Sequence, residues 1–229
     1  GAVEAFSAGL NMKKGDVAFR GNLGTVDKDL VVVDRRAGRI NDKEEIKSLI
    51  EAVDGYEVDG CKFKILSLTE HRVAVVMSGE GLDWHIVDTD PGTACEGSKI
   101  VCPIEESNVQ KSAQALWKFQ LHVKEVWDNH PINKARVERG QHPANFIITR
   151  GAAAAMVLPP IESLFPKVKV SVIAGDETIT GIGKMCNFDY VTDESYTGGF
   201  ETNYLGKAQK ALEELENHDL VIVHIKGTD

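Results

Sequence analysis

Apolar residues fall along this chain in two styles. Up to about residue 160, short alternating runs are separated by charged and glycine-rich stretches. Beyond Pro159-Pro160 the runs become continuous and are spaced by amphipathic segments. In the first style, residues 16–20 and 30–34 alternate or run apolar with Gly21, Asn22 and Gly24 between them, which predicts strand, loop, strand. A helix is expected from Asn41 to about Val53, with Asn41 as N-cap and Glu44 at capping-box spacing. Residues 62–68 and 71–77 read as a hairpin, and residues 78–106 as a long loop rich in Gly, Asp, Pro and Thr. Helical spacing returns over 108–129. A shorter helix follows from Pro131, carries Arg136 and Arg139, and ends at Gly140. Phe146 to Ile148 reads as a strand that stops at Thr149-Arg150-Gly151.

In the second style, Val168 to Ile173 has the continuous apolar character of a strand buried on both faces. A helix from Gly175 to Met185, a strand at 189–191, a helix from Asn203 to Asn217 and a strand from Asp219 to Ile225 follow. Strand and helix in alternation imply a parallel sheet. The fold class is therefore α/β, with a domain boundary near residue 160.

Composition narrows the classes. The 229 residues are 42% hydrophobic and 27% charged, enough for a packed core without metal or disulfide staples. The net charge of −9 argues against a nucleic-acid binder. The four cysteines, Cys61, Cys95, Cys102 and Cys186, form no CxxC pair and fit a reducing, cytoplasmic setting. Cys95 and Cys102 are read as buried thiols in preference to a bridge. No apolar run approaches the ~20 residues that span a bilayer, so no membrane partner is expected. The opening residues begin in mid-pattern and the last seven stop just past a strand, so a fragment is expected.

Five segments could carry chemistry. Arg20-Gly21-Asn22 and Asp34-Arg35-Arg36-Ala37-Gly38-Arg39 place four arginines within twenty residues. Guanidinium forks match carboxylate and phosphate oxygens. Anion binding and a solvated charged surface are both open readings. Asp88-Thr89-Asp90-Pro91 could bind a metal, accept hydroxyl protons, hold an arginine or simply form a turn. Arg150, just past the expected strand end, could bind a ligand or make a structural salt bridge. Gly181-Ile182-Gly183-Lys184 lacks the Walker spacing, so no nucleotide is expected there, though Lys184 could still contact an anion. Asp229 ends the last strand segment, where a carboxylate is well placed for metal or serves only as a turn residue.

These segments, with His130-Pro131-Ile132-Asn133, Asn145 to Gly151 and Thr202-Asn203-Tyr204 with Gly206-Lys207-Ala208, resemble the archaeal-type phosphoglycerate mutases that need no bisphosphoglycerate. The matches run in order over nearly the whole chain. The resemblance implies part of an alkaline-phosphatase-like parallel-sheet domain with an inserted α/β substrate-binding domain. Residues 1–9 would be a linker from an earlier part of that domain, 10–160 the insertion and 161–229 part of the metal domain. It implies an isomerase of glycolysis and gluconeogenesis that interconverts 3-phosphoglycerate and 2-phosphoglycerate through a phosphoserine. Two divalent ions (Mn, Zn, Co or Mg) would assist. Arg20, Asn22, Arg35, Arg36, Arg39, Arg150 and Lys184 would bind substrate, and Asp88 and Asp90 would handle the migrating proton. Asp229 would ligate metal, and the nucleophilic serine is expected before residue 1. Relatives that are phosphatases, other phosphomutases or kinase-like enzymes acting on homoserine share the pattern, and a binding fragment without catalysis is a third reading. Oligomeric state stays open, a homo-oligomer included. Two departures bear on the pocket: Gly21-Asn22 stands where the family often has Cys-Asn, and Ser78-Gly79 where it often has Arg-Gly.

Overall fold

A computed structural model describes residues 1–10, 12–92, 94–106, 109–155 and 158–226. The chain divides into two compact units, Gly1–Ala5 with Met12–Met156, and Phe6–Asn11 with Val157–Asp229. Helix α1 (Ala2–Ser7) gives its first residues to one unit and its last to the other.

The larger unit is built on a six-stranded antiparallel sheet. Its strands are β1 (Val17–Val26), β2 (Val32–Asp34), β3 (Glu57–Val58), β4 (Cys61–Ser67), β5 (Arg72–Gly79) and β6 (Phe146–Ala154). The order is β2-β1-β5-β4-β3, with β6 paired to β1 as well. The expected break at 21–24 does not occur, because β1 runs unbroken to Val26. Its glycines serve packing instead: a Cβ on Gly21 would stand 2.7 Å from Val73 Cγ2 and 2.9 Å from Ile147 Cγ2. Only glycine lets those two neighbours meet across the central strand. The strand expected at 146–148 likewise extends to Ala154, which puts Arg150 inside β6 and not past its end.

Alternation along the strands divides the sheet into two faces. Val17, Phe19 and Leu23 of β1, with Val73, Val75 and Met77 of β5, pack under α2 (Lys43–Glu51) and α4 (Gln110–Asp128). Phe63 stacks on Phe119 with ring centroids 4.2 Å apart, and the buried Trp127 donates its indole N–H to the Leu49 carbonyl at 2.8 Å. Helix α2 is capped by Asp42, whose carboxylate accepts from the backbone N–H of Glu44 and Glu45. The cap is one residue later than Asn41, since a full negative charge suits the helix N-terminus better than an amide. Short α3 (Pro103–Glu106) and α5 (Pro131–Glu138) complete this unit.

The smaller unit holds a three-stranded parallel sheet. It contains α6 (Ile161–Leu164), β7 (Val170–Ile173), α7 (Glu177–Met185), β8 (Asp189–Val191), α8 (Tyr204–Glu214) and β9 (Leu220–Val223). The fully buried β7 lies between β8 and β9. A Cβ on Gly183 would meet Val172 Cγ1 at 2.6 Å, so this glycine lets α7 lie close on β7. The four thiols are free; Cys61 and Cys95 are buried, while Cys102 and Cys186 are half-buried. Among the described residues no helix is long and apolar enough to cross a membrane.

Candidate functional site

The second face of the antiparallel sheet carries charge. Arg20 and Asn22 are two residues apart on β1 and so share that face. Strand register sets Arg150 of β6 directly opposite Arg20, and Arg72 of β5 directly opposite Asn22. Like charges facing each other across a ladder are unfavourable. An anion bound between them would reverse that sign.

The segment 35–39 brings three further arginines to this face. Ala37, Gly38 and Arg39 all have positive φ, at 46°, 65° and 57°. Two of the three pay a steric penalty that glycine escapes. Local bonds hold the shape: the Asp34 carboxylate accepts from the N–H of Arg36 at 2.7 Å and of Gly38 at 3.1 Å. From α5, the buried Arg136 donates to the Ala37 carbonyl at 3.0 Å, to the His142 carbonyl at 3.0 Å and to Glu45 at 2.6 Å. The turn is thus fixed from beneath by a guanidinium with three partners.

The pocket that results has a volume of about 270 Å³. Arg20, Arg35, Arg36, Arg39, Arg72 and Arg150 line it, together with Asn22, Glu70 and His71. Six predicted residues therefore converge: Arg20, Asn22, Arg35, Arg36, Arg39 and Arg150. Among the described residues, no carboxylate oxygen lies within 4.0 Å of Arg36, Arg39, Arg72 or Arg150. Arg20 stands 3.7 Å from Glu4.

The acidic pair lies elsewhere. Asp90 is buried against Arg35, accepting from its Nε at 3.0 Å and from its Nη2 by a second, short contact. This bond holds the Arg35 guanidinium above its ordinary pKa. Asp90 also accepts from the N–H of Gly92 at 3.1 Å. Asp88 is exposed and accepts from the N–H of Gly151 at 2.7 Å. Neither lines the pocket. Here Asp90 anchors Arg35 beside the 35–39 turn, and Asp88 contacts β6. Thr89 completes the seam: its N–H reaches the Thr149 carbonyl at 2.9 Å, and Gln120 of α4 donates to Thr89 Oγ1 at 3.0 Å and to the Ile147 carbonyl at 2.8 Å.

Glu70, His71 and Arg72 were absent from the sequence prediction. Glu70 and His71 sit in the β4–β5 turn, where Glu70 takes a positive φ of 56°, and Arg72 opens β5. The charges between the two apolar runs were visible, but only the register of β5 against β1 shows that Arg72 faces Asn22. His71 is buried, with 5% of its surface exposed. Burial first, then Arg72, Arg36, Arg39 and Arg20, pull its pKa down to about 4. The ring is therefore neutral at ordinary pH.

Lys184 belongs to the other unit. Its ammonium donates to the Ser7 carbonyl at 2.8 Å and lies 4.9 Å from the Tyr190 ring centroid. Asp229, the expected metal ligand, lies outside the described residues. Among the described residues, no three His, Cys, Asp or Glu side chains are grouped to hold a metal ion. The described residues therefore do not assemble the implied metal centre.

A family model described as 2,3-bisphosphoglycerate-independent phosphoglycerate mutase matches residues 1–133. The chain belongs to this family. It is 42% identical over its whole length to the phosphoglycerate mutase of Saccharolobus solfataricus, of which it covers 55%. It is equally 42% identical to phosphoglycerate mutase 1 of Methanocaldococcus jannaschii, covering 56%. Among solved structures, the cofactor-independent phosphoglycerate mutase of Thermoplasma acidophilum aligns with a TM-score of 0.65 at 31% identity, over all of this chain and 59% of that one. The PH0037 protein of Pyrococcus horikoshii aligns with a TM-score of 0.74 at 25% identity, over all of this chain and 51% of that one. The chain thus spans about half the length of the relatives it matches. The mutase family membership and the mixed α/β architecture agree with the expectation from sequence.

Proposed function

We propose that the arginine pocket grips the phosphoglycerate of a mutase that interconverts 3-phosphoglycerate and 2-phosphoglycerate in glycolysis and gluconeogenesis. One observation carries the reading. Arg20 and Arg150 face each other across β1 and β6 and line one pocket with Arg36 and Arg39, which among the described residues have no carboxylate within 4.0 Å. A ligand with a carboxylate at one end and a phosphate at the other offers each guanidinium an oxygen pair. In this reading Arg35 and Asp90 act as a rigid strut, and Asp88 is the acidic group assigned to the migrating proton. Lys184 is assigned to an anion contact that becomes available when it leaves the Ser7 carbonyl.

The finer features follow the resemblance. The smaller unit is assigned to an alkaline-phosphatase-like domain. The phosphorylated serine, and the two divalent ions (manganese, zinc, cobalt or magnesium) with Asp229 among their ligands, belong to that domain of the complete enzyme. Cytoplasmic location and a soluble, small-molecule-directed role fit an isomerase of this class.

Calorimetric titration of 3-phosphoglycerate into the protein tests the pocket. Arg36→Ala and Arg39→Ala should each weaken binding by about tenfold or more, since charge-assisted hydrogen bonds of about 1.5–3 kcal/mol are lost. In the complete enzyme the same changes should lower kcat/KM for phosphoglycerate. Unchanged affinity and unchanged kcat/KM in both variants would overturn the assignment.

A further inference from the structure

The walls of the pocket are almost entirely donors. Arginine donates through five N–H groups and accepts nothing. A phosphoglycerate carries two anionic ends, which suit arginine, and one free hydroxyl, whose proton needs an acceptor. Among the lining side chains only Asn22, Glu70 and His71 can accept.

His71 has an atom in want of a partner. Among the described residues its buried Nδ1 makes no hydrogen bond, and the nearest carboxylate oxygen, Glu70 Oε2, stands 3.7 Å away. Buried polar atoms without partners are rare in folded proteins and call for an explanation. The backbone of His71 is held to β1 by its carbonyl, which accepts from the N–H of Leu23 at 2.8 Å, and the residue lines the pocket. Glu70 is a poorer candidate, because its negative charge repels both ends of the ligand and its side chain is 48% exposed.

We infer that His71 reads the free hydroxyl of the bound phosphoglycerate, with Nδ1 accepting a hydrogen bond from that hydroxyl while the arginines hold the carboxylate and phosphate. The inference rests on the pocket being the phosphoglycerate site. The low proton affinity of this ring keeps Nδ1 available as an acceptor in the Nε2–H tautomer. His71 is thereby a specificity residue: it favours hydroxylated three-carbon acids over deoxy analogues that present the same two charges.

The test compares 3-phosphoglycerate with 3-(phosphonooxy)propionate, which keeps both anions and lacks the hydroxyl, by calorimetric titration of the whole protein. The parent protein should prefer 3-phosphoglycerate by about tenfold, as expected for a hydrogen bond to an otherwise unpaired buried group. His71→Phe should reduce that preference to about twofold or less and leave binding of the deoxy ligand in place. Two smaller changes separate recognition from folding. Asparagine puts its polar atom near the position of Nδ1, and glutamine near that of Nε2, so His71→Asn should keep most of the preference and His71→Gln should lose it. Equal preference in the parent, His71→Phe and His71→Gln proteins would overturn the role of His71 and leave the pocket standing. Loss of the preference in Glu70→Gln with retention in His71→Phe would move the role to Glu70. Failure of the parent protein to bind either ligand would remove the pocket assignment and this inference together.

Discussion

Phe19, Phe63, Phe119 and Trp127 of the antiparallel unit are all buried to within 1% of full enclosure. In the parallel unit, Leu205 and Leu212 of α8 remain 78% and 70% exposed, and Leu220, Ile222 and Val223 of β9 are also open. Both extended hydrophobic clusters among the described residues draw only on the antiparallel unit. The difference follows from architecture. An antiparallel sheet can pack one face on helices and use the other for solvent or ligand, as the arginine face does here. A parallel sheet is typically covered on both faces, and among the described residues the three strands with α7 and α8 leave apolar surface open. The unit with the closed core is therefore the one that can keep a highly charged pocket in shape.

The sharpest way to break this contrast is in the closed core. Phe119→Ala should cost about 3–5 kcal/mol, because it removes a buried ring stacked on Phe63. Urea unfolding would register this as a fall in midpoint. A loss below about 1 kcal/mol would mean that the core is not the source of rigidity. Next comes Asp90→Ala, which strands the buried Arg35 without its partner and should cost about 3 kcal/mol. It should also weaken 3-phosphoglycerate, since the 35–39 turn loses its link to the 88–90 segment.

A pH titration of stability gives the third effect. His71 has a folded pKa of about 4 against an ordinary 6.5, so the unfolded chain binds more protons between those values. Its contribution is complete above about pH 6.5 and is lost as pH falls towards 4. The full span is worth roughly 3 kcal/mol at most. Comparing parent and His71→Asn proteins should show a shallower pH dependence in the variant over that window; identical slopes would refute the depressed pKa. The smallest expected effect is on the open unit. Leu212→Ser should change stability by less than about 0.5 kcal/mol, as an exposed side chain does. If the open apolar face drives association, sedimentation should show weaker self-association in this variant. A stability loss above about 1 kcal/mol would show that Leu212 is covered in solution.

Much of the larger plan could be read from residue order. Alternation and caps located most helices and strands, because local periodicity is set by backbone geometry. The strand β1 differs from the expected loop, since Gly21 and Gly24 look like loop residues until Val73 and Ile147 at the first, and Ile148 at the second, are seen to need the space. The Arg35-to-Arg39 segment was visible as an anion candidate. Its occupancy by Asp90 was not, because 55 residues separate the partners.

By itself the sequence determined the residue kinds: a cluster of guanidinium forks, an α/β alternation after residue 160, and a family resemblance that the comparisons bear out. Tertiary structure decided which of those residues act together. Arg20 meets Arg150, and Asn22 meets Arg72, only through the register of β1 with β6 and β5. A shift of one residue would send each of those side chains to the helix-covered face. Pairing between strands distant in the chain, unlike the period within one strand, depends on packing of the whole sheet, and that is why the pocket and His71 emerged only from the fold.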